Sequence, residues 1–147
     1  YVANMLAARW SVITTLHRVR DMVEKTVQKT GLTARCASIR TTSLSVLDTE
    51  QNRTATLEIL TEASQLAIQT DGAEAICLGC AGMSGLEQQL EERLGVPVID
   101  AVAAAVKMAE SLVSLGKTTS QQLTYRPPEL KKITGYDPHF QTANYSK

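Results

Sequence analysis

Apolar and polar residues follow two different periods along this chain, and the switches between them mark out its elements. Trp10–Thr15 is a short apolar run closed by two threonines and predicts a strand. From His17 to Lys29 the apolar positions Val19, Met22, Val23 and Val27 recur at helical spacing, and Gly31 stops the helix. Leu32–Ile39 predicts a second strand, ending in the polar run Arg40-Thr41-Thr42-Ser43. Asp48, with Gln51 three residues on as its capping partner, opens a helix reaching about Gln69. Leu57, Leu60, Ser64 and Ala67 share one of its faces, and Asp71-Gly72 breaks it. Ala75–Gly79 is the third strand. Ser84–Leu94 is helical, with Leu86, Leu90 and Leu94 in register and Gly95 at its end. Val96–Ile99 makes a short fourth strand, and Ala101–Leu115 an alanine-rich helix ended by Gly116. Ahead of these, Tyr1–Arg9 reads as the tail of a helix already under way, so the natural protein is expected to begin upstream of Tyr1.

Strands alternating with helices across short connections predict an α/β fold, a Rossmann-like open parallel sheet flanked by helices, over residues 1–116. Residues 117–147 change character. They carry Pro127-Pro128, Gly135, Pro138 and most of the tyrosines, which predicts a partly irregular C-terminal arm. That arm is expected to pack on something absent from this chain. At 147 residues the chain has the size of one ordinary domain. Fifteen basic side chains balance fifteen acidic ones, so no basic excess argues for nucleic acid. The apolar stretches are too short to span a bilayer. Three cysteines do not make a disulfide framework, and reduced thiols in the cytoplasm are the expectation.

Topology then singles out one edge. In open parallel sheets, ligands bind beyond the carboxyl ends of the strands. Here that edge would gather Thr14-Thr15, Arg40–Ser43, Cys80–Met83 and Asp100. In Ile76-Cys77-Leu78-Gly79-Cys80-Ala81-Gly82-Met83, an apolar strand ends in glycine and delivers one thiol to the start of a predicted helix. Amide N–H groups and the helix dipole at such a position favour a thiolate. The N–H groups of Ala81, Gly82 and Met83 are placed to cradle a carboxylate or a developing enolate oxygen. Cys36 and Cys77 read as buried structural thiols, Asp100 as a helix cap, and Arg40 as solvent-facing or paired with a carboxylate.

The stretch Asp71-Gly72-Ala73-Glu74-Ala75-Ile76-Cys77-Leu78-Gly79-Cys80-Ala81-Gly82-Met83, followed by Leu94–Asp100, resembles the second half of the hydantoin racemase family. That family includes allantoin racemases and lies within the aspartate/glutamate racemase superfamily. Ser11–Leu16 and Ala34–Arg40 also resemble family segments, and the likeness covers roughly residues 1–116. It implies two similar α/β lobes, an active site between them, and one cysteine from each. Cys80 matches the second-lobe cysteine, whereas neither Cys36 nor Cys77 sits in a matching motif. The resemblance therefore implies a C-terminal portion carrying one of two bases, with the first lobe missing. It further implies racemisation of a 5-substituted hydantoin or of allantoin, a small-molecule substrate, without metal or pyridoxal phosphate. Self-association into a homo-oligomer is common in the family. Thr14 and Thr15, by position and by resemblance, would bind the substrate together with the amides of Ala81 and Gly82.

Other outcomes for the same residues stay open at this point. A related enzyme would decarboxylate or isomerise a small dicarboxylate. A cysteine hydrolase would use Cys80 as nucleophile and His17 as its base, only His139 being otherwise available. A non-enzymatic interaction module is the remaining alternative.

Overall fold

A computed structural model describes residues 1–126 and Gly135. Two compact units divide the chain, Tyr1–Ser111 and Leu112–Lys147. The first contains four parallel strands: β1 (Trp10–Thr14), β2 (Cys36–Thr41), β3 (Ala75–Leu78) and β4 (Val98–Asp100), in the order β2-β1-β3-β4. The expected parallel α/β sheet is therefore present. This order reverses direction between β1 and β3, because the chain steps to one side for β2 and returns past β1 for β3. That reversal opens a crevice beyond the carboxyl ends of β1 and β3.

Helices cover both faces. On one, Leu57, Leu60 and Ala67 of α4 (Arg53–Asp71) and Leu90 of α5 (Glu87–Leu94) pack against Ile13, Ile76, Leu78 and Val98. On the other, Ala3 of α1 (Val2–Leu6) and Val27 of α2 (Arg20–Lys29) meet Trp10, Val12, Ile39 and Ala75. Successive strand residues thus face opposite cores, as the period of two demands. Ile13, Leu60, Ile76 and Leu90 are completely buried.

Several boundaries differ from the sequence expectation, each for a local reason. The second strand runs Cys36–Thr41 rather than Leu32–Ile39. Thr33–Arg35 instead forms a 3-10 turn, and Arg35 donates to the carbonyls of Ala7 and Ala8. Arg40 and Thr41 belong to the strand because they pair with Ile13 and Thr14. The helix expected from Asp48 to Gln69 is two: α3 (Val46–Gln51) and α4, separated at Asn52. Its cap is Ser45, whose hydroxyl accepts from the Asp48 N–H while the Asp48 carboxylate accepts from Ser45. Asp48 thus closes a capping box, three residues after its cap, and does not open one. Asn52 caps α4 in turn, accepting from the Ala55 N–H at 3.1 Å. A 3-10 turn, His17–Val19, precedes α2. The fourth strand slides to Val98–Asp100, and α5 starts at Glu87, three residues after the expected Ser84. Gly72 and Gly95 close α4 and α5 in the left-handed conformation, the stops the sequence predicted.

After β4, helix α6 spans Ala101–Ser114 and has no buried residue. In the second unit, Gly116 takes φ 63° and Leu123–Tyr125 form a 3-10 turn. The described residues 112–126 are all exposed, and most of the expected irregular arm lies outside the described residues.

Arg40, an edge-strand residue, holds the end of α4. Its Nε and Nη2 donate to the two carboxylate oxygens of Asp71 at 2.6 and 2.9 Å, and Nη2 also reaches Thr70 Oγ1. This guanidinium holds the Asp71 carboxyl down at about 2, against 3.8 ordinarily. A carboxyl depressed by folding stabilises the fold above its unfolded pKa and loses that contribution as pH falls through the folded value. With the two side chains 29% and 21% exposed, the contribution is on the order of 1–2 kcal/mol. Urea unfolding should therefore show extra destabilisation between pH 4 and pH 2 that is missing in Arg40→Ala. An identical acid slope in both proteins would refute the assignment.

Candidate active site

Cys80 follows β3 by two residues, at the crevice where the strand order reverses. Its backbone is extended (φ −144°, ψ 134°) and it precedes a 3-10 turn, Ala81–Met83. The expected α-helix N-terminus is not there, since α5 begins only at Glu87. A single 3-10 turn carries little of the macrodipole that a full helix would. What the turn does provide is unengaged backbone. The Met83 N–H donates to the Cys80 carbonyl at 3.0 Å and the Ser84 N–H to that of Ala81 at 3.0 Å. Among the described residues, the N–H groups of Ala81 and Gly82 have no partner. Of the three amides expected to form a cradle, two are free and Met83 is spent within the turn.

The Cys80 thiol is half-buried against the core formed by α4 and α5. Cys77 lies on the opposite face of the sheet with Trp10 and Val12, beside an apolar cleft of about 240 Å³. Burial pushes its thiol up to about 11. Cys36 sits on the same side, its thiol raised by burial and by Glu24. Both were expected to be buried, and both are half-buried.

Thr14 ends β1 and Thr15 follows it at the same edge, but they are 1% and 4% exposed. The Thr14 hydroxyl donates to the Gly79 carbonyl at 3.2 Å, and the Gly79 N–H donates to Ile13 at 2.8 Å. A Cβ on Gly79 would come within 2.9 Å of both Thr14 Cβ and Val12 Cγ1. Glycine is needed at position 79 so that β3 can lie this close to β1. Thr14 thus holds the peptide just before Cys80 through its hydroxyl. Asp100 caps α6, accepting from the Val102 N–H at 2.8 Å, and also receives the Ser84 hydroxyl at 3.0 Å.

Two contributors to the site were not foreseen. Thr49 of α3 is completely buried, and its hydroxyl occupies the place a Cβ on Gly82 would need. Arg53, at the start of α4, donates to the carbonyls of Gly82 at 3.2 Å and Ser84 at 2.8 Å. Nothing in their spacing ties either to Cys80, about thirty residues away. Only Asn52, a cap residue, hints that α4 starts here. His17 is exposed on the 3-10 turn after β1, and among the described residues no hydrogen bond joins it to Cys80. His139 lies outside the described residues. No group of three or more His, Cys, Asp or Glu among the described residues is placed to hold a metal ion. No described helix is long and apolar enough to cross a membrane.

Comparison with known proteins puts this turn in context. The hydantoin racemase of Pseudomonas sp. (strain NS671) is 50% identical over 135 residues, which is 92% of this chain and 54% of that protein. The hydantoin racemase of Paenarthrobacter aurescens is 45% identical over 132 residues, 90% and 56% of the respective chains. The crystal structure of allantoin racemase from Pseudomonas fluorescens superposes with a TM-score of 0.85 at 46% identity, covering 91% of this chain and 57% of that one. The present chain spans about half the length of the relatives it matches. A model of the family described as Asp/Glu/Hydantoin racemase matches residues 1–109, which include every residue of the Cys80 turn and its supports. The chain belongs to the Asp/Glu/hydantoin racemase family.

Proposed function

We propose that this chain supplies one lobe, and one of two acid–base thiols, of a cofactor-independent racemase acting on 5-substituted hydantoins or allantoin. The observation that carries the proposal is the Cys80 turn: a half-buried thiol beside two unengaged amides, at the crevice of a sheet whose relatives are named for these reactions. The opposed thiol would come from the half of the relatives that this chain does not span.

The chemistry requires two groups. Inverting C5 means removing its proton from one face and delivering another to the opposite face. A thiolate takes the C5 proton and becomes a thiol. The electron pair passes into the adjacent carbonyl to give an enolate. The opposed thiol then protonates C5 and is left as thiolate, so charge and protons balance. A ring C5–H next to a carbonyl is acidic enough for such bases, and acid–base catalysis of this kind contributes roughly 10²–10⁴-fold. The Ala81 and Gly82 amides are suited to the enolate oxygen, where losing one such donor costs about 3 kcal/mol. Of the two threonines at the end of β1, Thr15 would be the one to meet a substrate N–H, the Thr14 hydroxyl being held on the Gly79 carbonyl.

Loss of optical rotation of L-5-benzylhydantoin and of (S)-allantoin tests the reading. Negligible turnover is expected from the present chain alone, and rapid turnover from the protein extended to its relatives' length. Robust racemisation by this chain alone would contradict the two-lobe reading, and inactivity of the extended protein on both substrates would contradict the substrate class.

A further inference from the structure

The Arg53 guanidinium touches no thiol, yet it is linked to the Cys80 turn through two successive peptide planes. Its Nη1 donates to the Gly82 carbonyl at 3.2 Å. That carbonyl shares a rigid plane with the Met83 N–H, which donates to the Cys80 carbonyl at 3.0 Å. The Cys80 carbonyl in turn shares its plane with the Ala81 N–H, one of the two unengaged donors. A second arm, Nη2 to the Ser84 carbonyl at 2.8 Å, closes a fork that only a planar guanidinium makes. The fork's anchor is itself fixed: Asn52 caps α4 at the residue before Arg53. Thr49 fills the space behind Gly82.

We propose that Arg53 is a positioning residue for the reaction: it fixes the orientation of the Ala81 amide, and passes positive polarisation along the chain of planes to that N–H, beside the reacting thiol. Hydrogen bonds in series polarise one another, and a charged donor at one end strengthens each later donor. The present alternatives for Arg53 are weaker. It makes no ion pair among the described residues, and a purely helix-capping role would not require both of its arms on the Cys80 turn. The inference rests on Cys80 being the reacting thiol, but its test needs no substrate, so failure of either idea is visible separately.

The test is iodoacetamide alkylation of the present chain, read at each cysteine by peptide mass spectrometry across pH 6 to 10. In Arg53→Ala, Cys80 alkylation at pH 7 should slow about five- to tenfold, a size consistent with losing a charged donor. Its pH profile should move to higher pH, and added guanidinium should restore part of the rate. Arg53→Lys, with charge but no fork, should fall between. Cys77, half-buried on the other face with its thiol pushed up to about 11, serves as an internal gauge of folding and should stay slow to react. An Arg53→Ala protein whose Cys80 rate and profile stay within twofold of wild type overturns the proposal. If Arg53→Ala exposes Cys77, Arg53→Lys decides: slowed Cys80 with protected Cys77 supports the proposal, and wild-type behaviour overturns it. Exposure of Cys77 in both variants also overturns it, by reducing Arg53 to a plain support of the fold.

Discussion

Replacing Cys80 by serine in the protein extended to its relatives' length is expected to lower racemisation by roughly 10²–10⁴-fold, the span of a lost acid–base group. A serine hydroxyl keeps the size of the side chain and its place against the core of α4 and α5. It surrenders the acidity, because a hydroxyl does not ionise near neutral pH as a thiol can. The same change at Cys77 is expected to leave turnover within severalfold of wild type. Cys77 sits on the opposite face with Trp10 and Val12, and its thiol is pushed up to about 11. The pair of variants separates chemistry from packing, since both lie within four residues on one strand and its exit. Chiral chromatography of the hydantoin product would read both. Equal loss in the two variants would mean that the reacting thiol has been misassigned.

A second large effect is expected from a single methyl group. In Gly82→Ala the new Cβ would overlap the Thr49 hydroxyl and lie 3.4 Å from the Val46 carbonyl. Thr49 cannot swing away cheaply: it is completely buried, and its hydroxyl donates to Val46 at 2.6 Å. Overpacking of this kind costs about 1–3 kcal/mol. The displaced turn also moves the Ala81 amide and Cys80, and misplacement by about 1 Å can cost on the order of 10²-fold in rate. Urea unfolding should show the stability loss, and turnover the larger kinetic one. The double variant Gly82→Ala/Thr49→Ala should recover much of both, because it removes the colliding hydroxyl. A neutral Gly82→Ala would show that the turn does not depend on this close approach.

The sheet and its edge were legible in the sequence because their signals are local. Apolar runs closed by glycine, at Leu78-Gly79 and Leu94-Gly95, mark a strand end and a helix end within a few residues of where they occur. The Cys80 turn was found the same way, as a glycine-flanked thiol on a topologically favoured edge. What failed depended on distant partners. Leu32–Arg35 has strand-like composition, but Arg35 binds Ala7 and Ala8 and holds its own segment in a turn. The shape of the Cys80 turn also escaped, because the Met83 amide is consumed locally and α5 waits until Glu87. Arg53 and Thr49 act across about thirty residues of chain, from α4 and α3, two helices that sequence merges into one. No periodicity encodes a bond of that kind. Burial of Thr14 was equally invisible, since a strand-end threonine looks the same whether it faces a ligand or a neighbouring carbonyl.

Racemisation in D2O tests the central claim, that Cys80 is one of two opposed acid–base groups, most directly. The extended protein would be given one enantiomer of 5-benzylhydantoin, and both enantiomers would be separated and weighed by mass spectrometry early in the reaction, with the spontaneous exchange subtracted. Two opposed thiols predict one deuterium in the product enantiomer, delivered by the exchanged thiol, while the remaining substrate keeps its protium. Protium carried over into the product, or deuterium appearing equally in unreacted substrate, would point to a single base and contradict the account.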